Sequence, residues 1–428
     1  MRSLVCAPRW VSFACVLGLS MAAAACSSPS FEGASPAADA ITSNDGTPLE
    51  LRFSAEVTAN AGELPRTAIV AQLQYAQGML TSAAQSNAQA NMPALTNVRE
   101  TIDGDKKRIA YDASLTVVWQ KDLPVPATYE IALPRDVTAL DAFNAKYDGK
   151  CGRNEYGQET FWHDFDPKAS ECRLDDADAV RATATVQKHP LTTEGKYPEY
   201  DKVWADDALD VVAVYGIISS NTPTDEGARM RDALLAEATS SLRDAARTEA
   251  PATYGVIADS TVRGVVEIDG RPKRVSVTGI LVYEVSSAGP AFERRYAEAT
   301  AAADIVIYEG HSGLGKNINA LARNMGATAG KYQLVYFYGC QTFAYLGSSM
   351  HDKRIALNGA ASDPDGTRFL DVIATALPAY GDGGRSTLGL YHAMLDPRAP
   401  KTFNDLLGMI SPLHLALAFG EHDNTFQP

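Results

Sequence analysis

Apolar and polar positions alternate over Leu49–Ala59, the period of a half-buried strand. Apolar residues then recur at helical spacing across Thr67–Ala83, with Ile69, Leu73, Met79 and Leu80 on the repeat. Val98–Trp119 reads as two strands joined at Asp103-Gly104, a dipeptide that favours tight turns. Ala127–Leu133 predicts another strand, Val137–Tyr147 a helix, and Arg181–Lys188 alternates again. The order β-α-β-β-α-β makes residues 49–205 an α+β domain.

The pattern changes after residue 205. Asp210–Ile218 (DVVAVYGII) is a continuous β-branched run, as expected of a strand buried on both faces. Helical spacing follows over Thr224–Arg247, strand-like alternation over Tyr254–Val285 around Asp269-Gly270, and a helix over Pro290–Ala302. Two more apolar runs, Asp304–Gly313 and Lys331–Thr342, flank a short helix near Lys316–Met325. Arg354–Gly359 reads as a short strand, Thr367–Ala379 as a helix and Thr402–Ile410 as the opening of a last helical region. Alternating strands and helices predict a mostly parallel sheet with helices on both faces, so residues 206–428 form an α/β domain preceded by the smaller α+β one.

Composition narrows the function classes. Of 428 residues, 46% are apolar and 21% charged, which is globular. The formal net charge is −14, and −16 once Arg2 and Arg9 of the leader are set aside. Such an acidic body has no electrostatic footprint for nucleic acid. Residues 1–25 read as a targeting segment, with a basic start and an apolar stretch over Val11–Ala25. Ala23-Ala24-Ala25-Cys26 resembles a bacterial lipobox with Ala23 in the usual leucine place, which implies lipidation of Cys26 and a protein anchored to the membrane of the cell envelope. Residues 26–48, rich in Ser, Ala, Pro and Gly, then serve as a flexible tether. In an oxidising envelope compartment Cys151 and Cys172 pair as a disulfide, which leaves Cys340 as a free thiol.

Both apolar runs end in a reactive side chain. DIVIYEGHSG reaches His311 after Gly310, and KYQLVYFYGCQT reaches Cys340 after Gly339. Reactive groups in parallel α/β sheets gather where the strands' C-terminal ends open into a crevice. The 29 residues between His311 and Cys340 accommodate a strand end, a crossover helix and a second strand. A thiol and an imidazole meeting there suit nucleophilic catalysis, the thiolate attacking a carbonyl and the imidazole managing the proton.

These two blocks resemble those of the caspase–gingipain–legumain superfamily of cysteine peptidases, gingipain-like members above all. The resemblance implies a caspase-like fold for the second domain and hydrolysis of peptide or protein substrates without a cofactor. Cys340 would be the nucleophile and His311 the group that protonates the leaving amine. The backbone N–H groups of Cys340 and of a glycine near His311, Gly313, would form the oxyanion hole. Ser312 stands where the family usually carries glycine.

Two other readings compete. Gly310–Gly315 (GHSGLG) approximates a nucleophile elbow with Ser312 as a serine nucleophile, although Leu314 occupies its second glycine position. His392, His414 and His422 would be its candidate bases. Alternatively, a catalytically inactive lipoprotein uses the fold as a binding or scaffold module. Its recognition feature would be Phe161-Trp162-His163-Asp164-Phe165-Asp166, where aromatic packing outweighs a cation site on His163, Asp164 and Asp166, and no metal is expected.

Overall fold

Period-two burial builds the first sheet: along one strand Leu49, Leu51 and Phe53 are buried while Arg52 and Ser54 are exposed. The computed structural model describes residues 40–428 apart from 82–87, 90–92, 220–223, 252, 380 and 421–423. The leader, Cys26 and the tether up to residue 39 lie outside the described residues.

The chain begins with β1 (Ala40–Thr42), β2 (Gly46–Asn60), α1 (Pro65–Thr81), β3 (Ala88–Gln89), β4 (Ala94–Asp103) and β5 (Lys106–Gln120). It continues through β6 (Thr128–Pro134), α2 (Leu140–Tyr147) and β7 (Ala179–Lys188). Strands β2 to β7 form one antiparallel sheet, ordered β3-β5-β2-β7-β6 with β4 also on β5. Helix α1 crosses over from β2 to β4, which flank β5, in a split β-α-β arrangement. The sheet's core includes Leu73 and Met79 of α1, Phe143 of α2, and the Cys151–Cys172 disulfide expected from the sequence.

The second half runs α3 (Tyr200–Val203), β8 (Ala208–Gly216), α4 (Glu226–Ser241), β9 (Arg243–Glu249), β10 (Val256–Ile268), β11 (Arg271–Val282) and α5 (Gly289–Ala302). It then adds β12 (Ile305–Glu309), α6 (Lys316–Asn324), β13 (Gln333–Tyr338), α7 (Thr342–Tyr345), α8 (Ser349–Asn358), β14 (Leu370–Thr375), α9 (Arg385–Leu395), α10 (Phe403–Leu407) and β15 (Ala416–Gly420). With β1, these eight strands form a nine-stranded sheet, ordered β1-β15-β14-β13-β12-β8-β11-β10-β9. The five strands β14, β13, β12, β8 and β11 are parallel. One face packs on α4, α9 and α10 through residues such as Leu234, Tyr391 and Phe403. The other packs on α5, α6 and α7 through Phe292, Leu321 and Phe343. Every residue of β12 and β13 is buried, so their sequences carry no alternation.

Five expectations are corrected. The sheet is mixed, because antiparallel β9, β10, β15 and β1 flank the parallel centre. Thr367–Ala379 holds strand β14, whose wholly buried residues lack period-two polarity and mimic a helical repeat. Arg354–Gly359 belongs mostly to helix α8, and the C-terminal part of the expected helix over Thr224–Arg247 is edge strand β9, exposed along nearly its whole length and so without an apolar pattern. Residues 40–48 of the expected tether are ordered in strands: β1 pairs with β15, and the Ser43 hydroxyl donates to the Ala416 carbonyl at 2.6 Å. Among the described residues no helix is long and apolar enough to cross a membrane.

Candidate active site

Strands β12 and β13 are adjacent, parallel and in register from Ile305↔Leu334 to Glu309↔Tyr338. The next residues are Gly310 and Gly339, then His311 and Cys340, so the two reactive groups leave the sheet at the same level. The Gly310 N–H donates to the Tyr338 carbonyl at 3.1 Å, extending the ladder by one step. Gly339 permits this approach: a Cβ there would lie 2.5 Å from the Gly310 carbonyl oxygen. After His311 the chain turns sharply through Gly313, Leu314 and Gly315, all at positive φ, into α6.

His311 is exposed, and its Nε2 lies 2.9 Å from the carbonyl oxygen of Ile218, just past the end of β8. A carbonyl only accepts, so Nε2 carries the proton and Nδ1 of the neutral ring offers a lone pair. The His311 carbonyl is held from below by the Tyr308 hydroxyl at 2.6 Å and Asn317 Nδ2 at 2.8 Å. Neither nearby carboxylate orients the imidazole. Asp304 sits at the opposite end of β12, paired with Lys331, and its carboxyl is pushed up to about 6 by burial. Glu309 turns into the core beneath α9, where the Thr387 hydroxyl donates to Oε1 while Oε2 has no partner among the described residues, and burial pushes its carboxyl up to about 8.

Cys340 is a free, half-buried thiol. Burial raises its pKa above the ordinary thiol value, so the resting thiol is protonated at neutral pH. Its Sγ lies 3.8 Å from the Ala379 carbonyl oxygen, on the β14 side, whereas His311 bonds on the β8 side. No hydrogen bond joins the two among the described residues. The backbone N–H groups of Cys340 and Gly313 make no hydrogen bond among the described residues.

Gln341 is a residue that sequence reasoning missed. It has φ 53°, the left-handed region, at a cost of roughly 1–2 kcal/mol for a side chain with a Cβ. Its N–H donates to the Leu377 carbonyl at 3.2 Å, and its buried Oε1 accepts from the Tyr345 hydroxyl at 3.1 Å. The same oxygen lies 3.1 Å from Nε2 of His163, which belongs to the disulfide-closed loop of the smaller sheet. The available signal was the aromatic motif around His163. Phe161 and Phe165 enter the smaller core, while Trp162 meets the Tyr345 ring at 6.5 Å. Among the described residues no group of His, Cys, Asp and Glu is arranged to hold a metal.

Ser312 is buried, its carbonyl accepts from the Gly315 and Asn317 N–H groups, and no imidazole bonds its hydroxyl among the described residues. His392 pairs with Glu237, His414 contacts the Tyr338 hydroxyl, and His422 lies outside the described residues. Compared with protein-family models and with curated proteins, the chain finds no match in either.

Proposed function

We propose that this chain is a cysteine peptidase of the caspase–gingipain kind, held at the bacterial cell envelope through lipidated Cys26 and acting on peptide or protein substrates. The observation that carries the reading is the register of β12 and β13, adjacent parallel strands that end at the same level, each followed by a glycine and then His311 or Cys340. The strand order β11-β8-β12-β13-β14 around them is a parallel core of the kind such a site needs.

The substrate carbonyl enters between the two groups. Cys340 Sγ attacks the carbonyl carbon as its proton passes to Nδ1 of His311, whose Nε2 proton stays with Ile218. The N–H groups of Cys340 and Gly313 receive the oxyanion. His311 then gives its proton to the leaving amine as the C–N bond breaks, forming a thioester. Water, deprotonated by His311, hydrolyses that thioester and regenerates the thiol. Substrate bridges groups whose resting hydrogen bonds lead apart, and catalytic contacts commonly tighten only in the bound state. The acidic body favours peptides with basic character over nucleic acid.

The test is turnover of a diverse peptide mixture by the full chain, read by mass spectrometry. Cleavage products that vanish in Cys340→Ala and in His311→Ala support the reading. Cleavage that survives Cys340→Ala rejects it.

A further inference from the structure

The loop between Cys151 and Cys172 belongs to the smaller sheet, yet it reaches the residue that follows Cys340. Phe161 and Phe165 are wholly buried and fix the short 3-10 turn Gln158–Asp164 to that sheet's core. The residues between them face the other way. Trp162 packs against both cores, and His163 bridges the layers. His163 Nδ1 lies 3.0 Å from Asp164 Oδ1, and its Nε2 lies 3.1 Å from Gln341 Oε1. Tyr156 and Trp162 set their rings edge-on to the imidazole, with Glu155 close enough to act through its charge. From α7, Tyr345 shares the same Gln341 oxygen.

Asp164 Oδ1 faces Nδ1 and Gln341 Oε1 faces Nε2, an arrangement that both N–H groups of an imidazolium satisfy. Burial opposes that charge, but Asp164, Gln341 and Glu155 outweigh it and hold the imidazolium pKa above the ordinary histidine value.

We propose that His163 is a positioning residue of the Cys340 site: by holding the Gln341 side chain it fixes the left-handed turn that aims the thiol and the backbone N–H of Cys340. The smaller sheet is then a working part of the site and not a segment to be removed. The chain path agrees. Strand β1 lies upstream of the smaller sheet but is the last strand of the larger one, so the two sheets are interleaved in sequence. Asn44 and Asn404 tie them again, with hydrogen bonds of 2.8 and 2.9 Å.

This inference rests on the peptidase reading for its activity readout but not for its chemical one. The full chain is compared with His163→Ala, His163→Gln, Gln341→Gly and the double variant His163→Ala/Gln341→Gly. Peptide turnover is measured as kcat and KM, and alkylation of Cys340 by iodoacetamide is followed by peptide-resolved mass spectrometry. His163→Ala is expected to lower kcat about tenfold with KM little changed, since small misplacements of reacting groups cost rate. His163→Gln, whose amide also donates to Oε1, restores most of that rate but loses the titration of the imidazole from the pH profile. In the Gln341→Gly background, His163→Ala has no further effect, because His163 acts through Gln341. Iodoacetamide reacts several-fold faster with Cys340 in His163→Ala, as the half-buried thiol is released. Wild-type kcat and alkylation rate in His163→Ala would overturn the proposal, and so would a rise in kcat, which would make His163 a brake. If the wild type cleaves no peptide, the peptidase reading fails alone, and the alkylation rates still decide the role of His163.

Discussion

The Nε2–H of His311 donates a hydrogen bond to the Ile218 carbonyl across 2.9 Å, from the turn after β12 to the chain just beyond β8. A main-chain oxygen thus occupies the place that a carboxylate takes in a Ser-His-Asp triad. The bond sets the tautomer and leaves the lone pair of the neutral ring on Nδ1, the base of the proposed mechanism. Because the ring is exposed, its loss should barely touch the fold. His311→Ala is expected to keep the wild-type melting temperature within a degree or two while kcat/KM falls roughly 10²–10⁴-fold. Calorimetry and peptide turnover on the same sample check both halves.

Glu309 predicts a pH-dependent stability of defined sign. Its carboxyl is raised from 4.5 to about 8 by burial, so the folded chain holds a proton that the unfolded chain has lost over that interval. The stabilisation is complete below about pH 4.5 and is lost as pH rises through about 8. The loss is on the order of 1.4 kcal/mol per pH unit inside the window. Glu309→Gln keeps a neutral group of the same shape beside Thr387. The variant should therefore match the wild type at pH 5 and exceed its urea midpoint at pH 8. Equal midpoints at pH 8 would mean the carboxyl is not neutral in the folded chain.

Gly339→Ala tests the close approach of the two strand ends. Its Cβ would meet the Gly310 carbonyl oxygen at 2.5 Å, backbone that cannot turn aside. Overpacking of this kind costs roughly 1–3 kcal/mol. Denaturant unfolding should register that loss, and peptide turnover should fall with it, since β12 and β13 can no longer end side by side.

The Cys151–Cys172 bond closes a loop with a sequence separation of 21 residues. Loop-closure entropy assigns it about 3 kcal/mol. Both sulfurs are buried, so mild reductant should leave the native bond intact and only the Cys151→Ser/Cys172→Ser variant should lower the melting temperature. The same variant should lower turnover, because His163 and Trp162 hang from that loop.

The sequence made β2 and β5 of the smaller sheet legible because each is buried largely on one side: in β2, Leu49, Leu51 and Phe53 against Arg52 and Ser54. It made β8, β12 and β13 legible as long β-branched or aromatic runs ending in glycine. It hid β14, where Leu370–Thr375 is buried throughout and no polar beat separates strand from helix. It hid β9, whose mostly exposed residues pair with β10 and show no apolar pattern. At the site, His311 and Cys340 were readable from position alone. The Ile218 carbonyl was not, since any residue supplies one. Gln341 and His163 lie 178 residues apart and meet only through the packing of one sheet on the other.

The most direct measurement is peptide-mapped labelling of the full chain with a thiol-directed acyloxymethyl-ketone peptide probe. The peptidase account predicts modification at Cys340 alone, absent in Cys340→Ala and strongly slowed in His311→Ala. A fluorophosphonate bound at Ser312, or a natively folded wild type that takes neither reagent, would contradict it.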